Sequence, residues 1–271
     1  MTLNWINANE YSFNTFLLME EFQIRLMMNT GGCRGDKEKW KHSMGIALNA
    51  NPAVKWYLTN RCPKCALIIE ELTANAPQTT DARQIRNAET YCLLSVEDFT
   101  VYTTPEIMAE KCDFIRGWSK ERLFELADFE GKTVLDVGAG SGRLTFAAAD
   151  KAAWVYASEP VGTLREYMRD KIAEKGIKNV RVLDGFITQL PFPDSTFDIV
   201  MSGHVIGDNF DDEISEITRV CKPGGLLLNC PGDSERDIPP NTELTSRGFE
   251  EKHYVGSFGK DVHVHRNRTT Q

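Results

Sequence analysis

The sequence predicts an α/β protein, with a parallel sheet covered by helices on both faces and a mainly helical region before it. Three observations carry this. From Lys132 onward, short apolar strands alternate with amphipathic helical segments. The first of these strands runs straight into a glycine-rich turn, VLDVGAGSG. Through the first 117 residues, apolar side chains recur at helical spacing.

The N-terminal region starts with a helical pattern from Phe16 through Phe22, Ile24, Leu26 and Met27, broken at Asn29 to Asp36 by glycines 31, 32 and 35. Further helices are expected over about Lys37 to Ala50 and Pro63 to Ala74, with a polar loop at 76–82. Thr104 and Pro105 read as the cap and first turn of a helix continuing through Ile107, Phe114, Ile115, Trp118 and Leu123. The boundary between this region and the α/β core is placed at 117/118.

In the core, TVLDV, WVYAS, NVRVLDG, FDIVMSG and GLLLNC read as strands. The helical segments between them are LTFAAADKA, LREYMRDKIAEK and EISEITRVC. Ligands of such sheets bind in the crevice at the carboxyl ends of the strands.

Composition narrows the function. At 41% hydrophobic and 26% charged, with no apolar run near the ~20 residues that cross a bilayer, the chain has the make-up of a soluble globular protein. The start, MTLNWINANEYSF, lacks the pattern of a secretory signal, and the seven cysteines fit reduced thiols; both point to a cytoplasmic protein. The net charge is −8, and neither half is basic: residues 1–117 hold 12 basic and 14 acidic side chains. That argues against a grip on nucleic acid, which needs a cationic face.

The glycine turn is the sharpest chemical signal. Glycines 138, 140 and 142, with Ala139 among them, let backbone approach a ligand, and the helix starting near Ser141 offers free N–H groups. A nicotinamide-cofactor domain is the obvious rival. It wants a third small residue where Arg143 stands, and Asp136, two residues before the first glycine, would face a pyrophosphate unfavourably. A carboxylate there suits a cationic amino acid portion with a sulfonium. Glu159, 23 residues after Asp136 and followed by Pro160, ends the next strand, where it can accept both ribose hydroxyls. As a strand-end ligand it is expected to lie outside the core. Asp184-Gly185-Phe186 ends the third strand, as a carboxylate and an apolar wall for adenine or simply as a turn.

In this order and spacing, VLDVGAGSG, SEP, LDG, LPFPDSTFDIV and RVCKPGGLLL resemble the class I S-adenosylmethionine-dependent methyltransferases. Within these they resemble the type-11 group that includes ubiquinone and menaquinone biosynthesis enzymes. The resemblance covers about Gly131 to Asp233. It implies a Rossmann-like sheet of seven strands with the last antiparallel, Phe249 to Ser257 and Lys260 to Arg268 forming the closing hairpin around GSFG. It implies S-adenosylmethionine as cofactor, its methionine part cradled by Asp136, Gly138, Gly140 and Gly142. Glu159 would hold the ribose, Asp184 and Phe186 the adenine, with Ser202 and Gly203 at the end of the fourth strand completing the site.

The sequence departs from the group's pattern in two places. After the fourth strand, where relatives often carry His-His or Leu-His, it reads Ser202-Gly203-His204-Val205. His204 there can contact cofactor, orient substrate, take a proton, or bond to nearby backbone. The N-terminal region matches no domain of the family; it is expected to cap the cofactor and shape the acceptor pocket, with Tyr102, Arg116 and Trp118 as lid candidates beside the alternative of ordinary packing.

Cys62-Pro63-Lys64-Cys65 has the spacing of a zinc knuckle or redox pair, and Cys33 and Cys92 could complete four thiolates. A second close pair is lacking, however, and ALIIEEL after Cys65 reads as a helix, so no metal is expected. The acceptor is expected to be a small molecule, because the chain is acidic and the link from Gly232 to Phe249 leaves little room for a macromolecule-binding insertion. The alternatives are a nucleic acid or protein methyltransferase, and a non-catalytic module that senses S-adenosylmethionine.

Overall fold

The computed structural model describes residues 4–32 and 35–270. The chain divides into two compact units that meet at Met108/Ala109.

The first unit is helical. Its helices are α1 (Glu21–Thr30), α2 (Lys37–Ala50), α3 (Pro52–Arg61), α4 (Ala66–Ala74), α5 (Ala82–Ser95) and α6 (Glu97–Tyr102); α7 (Pro105–Lys111) spans the join. Side-chain caps set their starts: Asp36 accepts from the amides of Glu38 and Lys39, and Asp81 from those of Arg83 and Gln84. Phe16 to Met27 is not one helix. Residues Phe13–Leu18 form a 3-10 helix, Met19 is extended, and α1 begins anew behind a capping box of Glu20 and Gln23. Phe13, Phe16, Met27, Trp40, Met44, Leu58 and Ile69 are buried together. Gly45 lets α2 meet α4, since a Cβ there would collide with the Leu72 carbonyl. Glu97, wholly buried, accepts from the amides of Trp5 at 2.6 Å and Ile6 at 3.2 Å and so ties down the N-terminal segment.

The second unit carries the sheet. Its strands are β1 (Thr133–Val137), β2 (Trp154–Ser158), β3 (Val180–Leu183), β4 (Phe197–Ser202), β5 (Cys221–Asn229), β6 (Glu250–Val255) and β7 (Asp261–Arg268). They lie in the order β3-β2-β1-β4-β5-β7-β6, with β1 to β5 parallel and β7 antiparallel to both neighbours. This is the seven-stranded arrangement, closed by a hairpin around GSFG, that the sequence implied. Its helices are α8 (Glu121–Phe124), α9 (Arg143–Ala149), α10 (Gly162–Lys175), α11 (Phe210–Val220) and α12 (Thr242–Ser246). Apolar side chains of β1 and β4 alternate between the two faces, Val134 and Met201 into one core and Leu135 and Val200 into the other, as a sheet covered on both sides requires.

The helix expected from Pro105 to Leu123 stops at Lys111. Turns follow, with Gly117 at a φ of 78°, before the short α8. Residues 109–117, which the sequence reading grouped with the N-terminal region, belong to the second unit. Phe114 packs on His204, and Gly117 lies against Ser257, which fixes this stretch to the end of the sheet. Among the described residues no helix is long and apolar enough to cross a membrane.

Candidate functional site

The glycine turn after β1 is built as its sequence requires. Gly138, Gly140 and Gly142 have φ values of 63°, 59° and 91°, in the left-handed region that side chains resist. Ala139 is buried within the turn, which leads into α9 at Arg143. Glu159, at the end of β2, closes over it: its Oε2 accepts from the Gly140 amide at 2.8 Å and its Oε1 from the Val161 amide, also at 2.8 Å, across Pro160. Only 4% of Glu159 is exposed, so it is a buried brace of the turn and not the peripheral strand-end group expected from sequence.

Asp136, on β1 beneath the turn, is buried and accepts from the Thr145 hydroxyl at 2.6 Å. Burial pushes the carboxyls of Asp136 and Glu159 up to about 7 each, against the opposing pull of those hydrogen bonds and of Arg143 and Arg165. Two buried acids, one of which raises the pKa of the other, favour a cationic neighbour.

Asp184 and Phe186 lie at the other side. Asp184 is largely exposed and pairs with Arg165 at 3.2 Å, which in turn donates to the Glu159 carbonyl at 2.7 Å. Phe186 is 43% exposed, and Gly185 packs between the Ser158 hydroxyl and Pro191.

Strand register brings the rest together. Leu183, Ser158, Val137, Ser202, Asn229, His265 and Glu251 form one row of paired residues across all seven strands, at the carboxyl end of the parallel ones. Paired residues project from the same face. Three of the row's side chains have buried polar atoms with no hydrogen-bond partner: the hydroxyls of Ser158 and Ser202, and both ring nitrogens of His265. Orphaned buried polar atoms are uncommon in folded proteins, and four in one row mark a surface shaped for a polar ligand.

Gly203, just beyond Ser202, has no room for a side chain, since a Cβ would sit 2.7 Å from the Cys230 carbonyl and 2.8 Å from Arg143 Nη2. His204 follows with a φ of 62°, a conformation seldom held by a residue other than glycine. Its ring packs on Phe114 at 4.8 Å, close to the backbone of Pro231. Protein crowding and the nearby Arg143 charge push its pKa down, although the ring lines a cavity and is reached by solvent, which limits the shift. His204 is therefore neutral at pH 7.

Arg143 is placed where sequence reasoning saw only a misfit. Its Nη2 donates to the Cys230 carbonyl at 2.6 Å, its guanidinium lies 4.5 Å over the Trp118 ring, and its Nη1 is buried without a partner. Burial pulls its pKa down. Of the lid candidates, Trp118 thus serves as a platform for Arg143, and Arg116 pairs with Glu235 and lies over Phe258. Tyr102 lies in the first unit, packed near Phe99.

A cavity of about 360 Å³ opens beside the row, lined by His204, Asn229 and His265 and roofed by the 231–242 segment. Most of this segment lies in the Gly232 to Phe249 link, which leaves little room for a macromolecule-binding insertion. In the first unit, Cys62 and Cys65 are buried with sulfurs 3.1 Å apart, and burial pushes the Cys65 thiol up to about 12. No cluster of three or more metal-binding side chains occurs among the described residues; Cys33 lies outside them.

Comparison with known proteins follows the same lines. Residues 134–225 match a family described as methyltransferase domain. The demethylmenaquinone methyltransferase of Geobacillus stearothermophilus is 31% identical over 116 residues, 41% of this chain and 50% of that protein. That of Lysinibacillus sphaericus is 30% identical over 149 residues, 53% of this chain and 62% of that protein. The chain thus spans between half and about three-fifths of the length of these relatives. The crystal structure of an S-adenosylmethionine-dependent methyltransferase from Aquifex aeolicus is similar with a TM-score of 0.50 and 25% identity, covering 61% of this chain and 98% of that one.

Proposed function

The C-terminal unit is a class I S-adenosylmethionine-dependent methyltransferase domain, and from this premise we propose that the chain transfers a methyl group from S-adenosylmethionine to a small, quinone-like acceptor. The observation that carries the reading is the Glu159 carboxylate at the end of β2, bonded to the glycine turn after β1, with the unpartnered Ser158 and Ser202 hydroxyls in the row beside it.

These residues fit the cofactor. A carboxylate offers about four acceptor positions. Glu159 uses two of them on backbone amides, which leaves capacity for two ribose hydroxyls. Asp136 would favour the cationic amino acid portion, and Arg143, a buried guanidinium with a free Nη1, would hold its carboxylate. Arg165 keeps Asp184 poised for the adenine amino group. Val205 Cγ2 occupies the space a Cβ of Gly138 would take, so this glycine makes room for the protein's own side chain at the turn.

Bound S-adenosylmethionine supplies an electrophilic methyl group on a positively charged sulfur. The chain's task is then to align the acceptor and exclude water, so a dedicated base is optional. His204, neutral at the end of β4, would orient an acceptor. The names of the relatives, at 30–31% identity, support a quinone-type acceptor.

The test is calorimetric titration of the full chain with S-adenosylhomocysteine, followed by assay of label transfer from S-adenosylmethionine to a reduced naphthoquinone. Saturable binding and label in the organic phase are expected. A folded chain that fails to bind S-adenosylhomocysteine sinks the reading. Binding without transfer to any acceptor favours a sensing module.

A further inference from the structure

We propose that the cavity beside β5 and β7 binds a flat, uncharged, hydroxyl-bearing aromatic molecule, whose hydroxyl is anchored by His265.

The anchor is the starting point. His265 is 2% exposed and lines the cavity, yet neither of its ring nitrogens has a hydrogen-bond partner. The nearest acid, Glu251, is paired with His265 in the β6–β7 register, but its Oε2 lies 3.7 Å from Nε2, beyond hydrogen-bond reach. Its other oxygen contacts His263 Nδ1 at 2.9 Å. A buried imidazole with no hydrogen-bond partner, and with only a 3.7 Å contact to Glu251, costs free energy that a ligand or water at its nitrogens recovers. Burial also pulls its pKa down, which keeps the ring neutral. A neutral imidazole offers one donor and one acceptor, the complement of a hydroxyl.

The remaining lining sets the class. The cavity walls include Asp261 and, among the described residues, no lysine or arginine; His263 also lines it but is already paired with Glu251, so a phosphate or carboxylate would meet no free counter-charge. Ile206, Ile238 and Val262, with three prolines, supply apolar walls for a flat body. About 360 Å³ accommodates two fused rings, within the range of small-molecule sites.

The register sets the orientation. His265 and Ser202 are two strands apart in the same row, with Asn229 between them. At the usual strand spacing that separation is about 10 Å. A bicyclic ligand anchored on His265 therefore reaches back to His204 and Ser202 with its far edge. His265 is a binding residue at the distal end and not a proton acceptor at the reacting atom. Identifying this ligand as the methyl acceptor rests on the methyltransferase reading; its binding does not.

The test uses the full chain with 1-naphthol and naphthalene as probes, followed by fluorescence and calorimetry. One 1-naphthol per chain is expected, with naphthalene at least tenfold weaker. His265→Phe should weaken 1-naphthol at least tenfold and leave naphthalene unchanged, while His42→Ala, in the first unit, changes neither. If His265→Phe fails to fold, Ile238→Trp provides a second route, since it fills the cavity from a partly exposed position and should weaken both probes. Equal affinity for the two probes, or unchanged 1-naphthol binding in the folded variants, overturns the proposal. S-adenosylhomocysteine binding is measured on the same samples. Its loss in every sample, the parent included, defeats the methyltransferase reading alone, whereas loss of naphthol discrimination with S-adenosylhomocysteine binding intact defeats the pocket alone.

Discussion

Glu159 and Gly140 are joined by a 2.8 Å hydrogen bond from the glycine amide to the carboxylate, which couples the end of β2 to the turn after β1. The same carboxylate is the proposed ribose ligand, so one side chain both shapes the cradle and fills it. A substitution there acts on stability and on binding, and the two effects are separable by choice of variant.

Glu159→Ala removes the acceptor of two buried amides and should destabilise the second unit by about 2–4 kcal/mol while abolishing measurable cofactor binding. Glu159→Gln keeps the shape and one acceptor oxygen but sets an NH2 against the second backbone N–H. It should cost about 1–3 kcal/mol in urea unfolding, less than the Ala variant, and bind S-adenosylhomocysteine about ten- to a hundredfold more weakly. Unchanged affinity in the folded Gln variant would remove Glu159 from the site.

Asp136 yields a prediction in pH. Its carboxyl titrates at about 7 when folded and near 3.8 when unfolded. Between those values the native state binds the extra proton, so its contribution to stability is complete below about pH 4 and is lost as pH rises through 7. Asp136→Asn imitates the protonated form and can still accept from Thr145. At pH 8 the variant should be more stable than the parent by roughly 2–4 kcal/mol, and at pH 4 it should match it. The same change should weaken S-adenosylmethionine binding, a trade of stability against function. Thermal denaturation at the two pH values checks it; an equal difference at both would show that Asp136 is not the titrating group.

The sheet was legible because each strand is a short apolar run bounded by turn residues and because the glycine turn can follow only a buried strand. Asp136, Glu159 and the glycines are local to those signals, so their placement in one cradle was within reach of sequence. The row that links Ser158, Ser202, Asn229 and His265 was not, since it arises from strand register between segments up to 107 residues apart. Sequence spacing carries no information on that. The helix read from Phe16 to Met27 failed because its apolar period is continued by a 3-10 helix and a new cap, which leave the hydrophobic pattern intact. Helix α3 lacks a clear apolar face, whereas α5 is amphipathic; Pro52 and the Asp81 cap were available signals for the two.

Cys62 and Cys65 should hold no stoichiometric zinc. Metal binding needs thiolates, and burial with a thiol neighbour at 3.1 Å holds Cys65 protonated at neutral pH. Elemental analysis of chain purified without chelator should give well under one zinc per molecule. One zinc per chain, lost in the Cys62→Ser, Cys65→Ser double variant, would contradict it.

Arg143 carries the last prediction, because its role separates the two halves of the cofactor. Its guanidinium is buried between Trp118 and the Cys230 carbonyl, near Asp136, with Nη1 unpartnered and no carboxylate hydrogen-bonded to it. Arg143→Met orphans the Cys230 carbonyl and withdraws the charge that faces Asp136, so it should lower stability by about 1–3 kcal/mol while the chain stays folded. If Arg143 holds the carboxylate of the amino acid portion, the variant should bind S-adenosylhomocysteine about ten- to a hundredfold more weakly, the usual worth of a charge-assisted pair. It should bind 5′-methylthioadenosine, which lacks that carboxylate, as well as the parent does. Calorimetry with the two ligands on parent and variant reads the difference directly. Equal losses for both would mean that Arg143 supports the cradle as a whole, and no loss for either would place the carboxylate elsewhere.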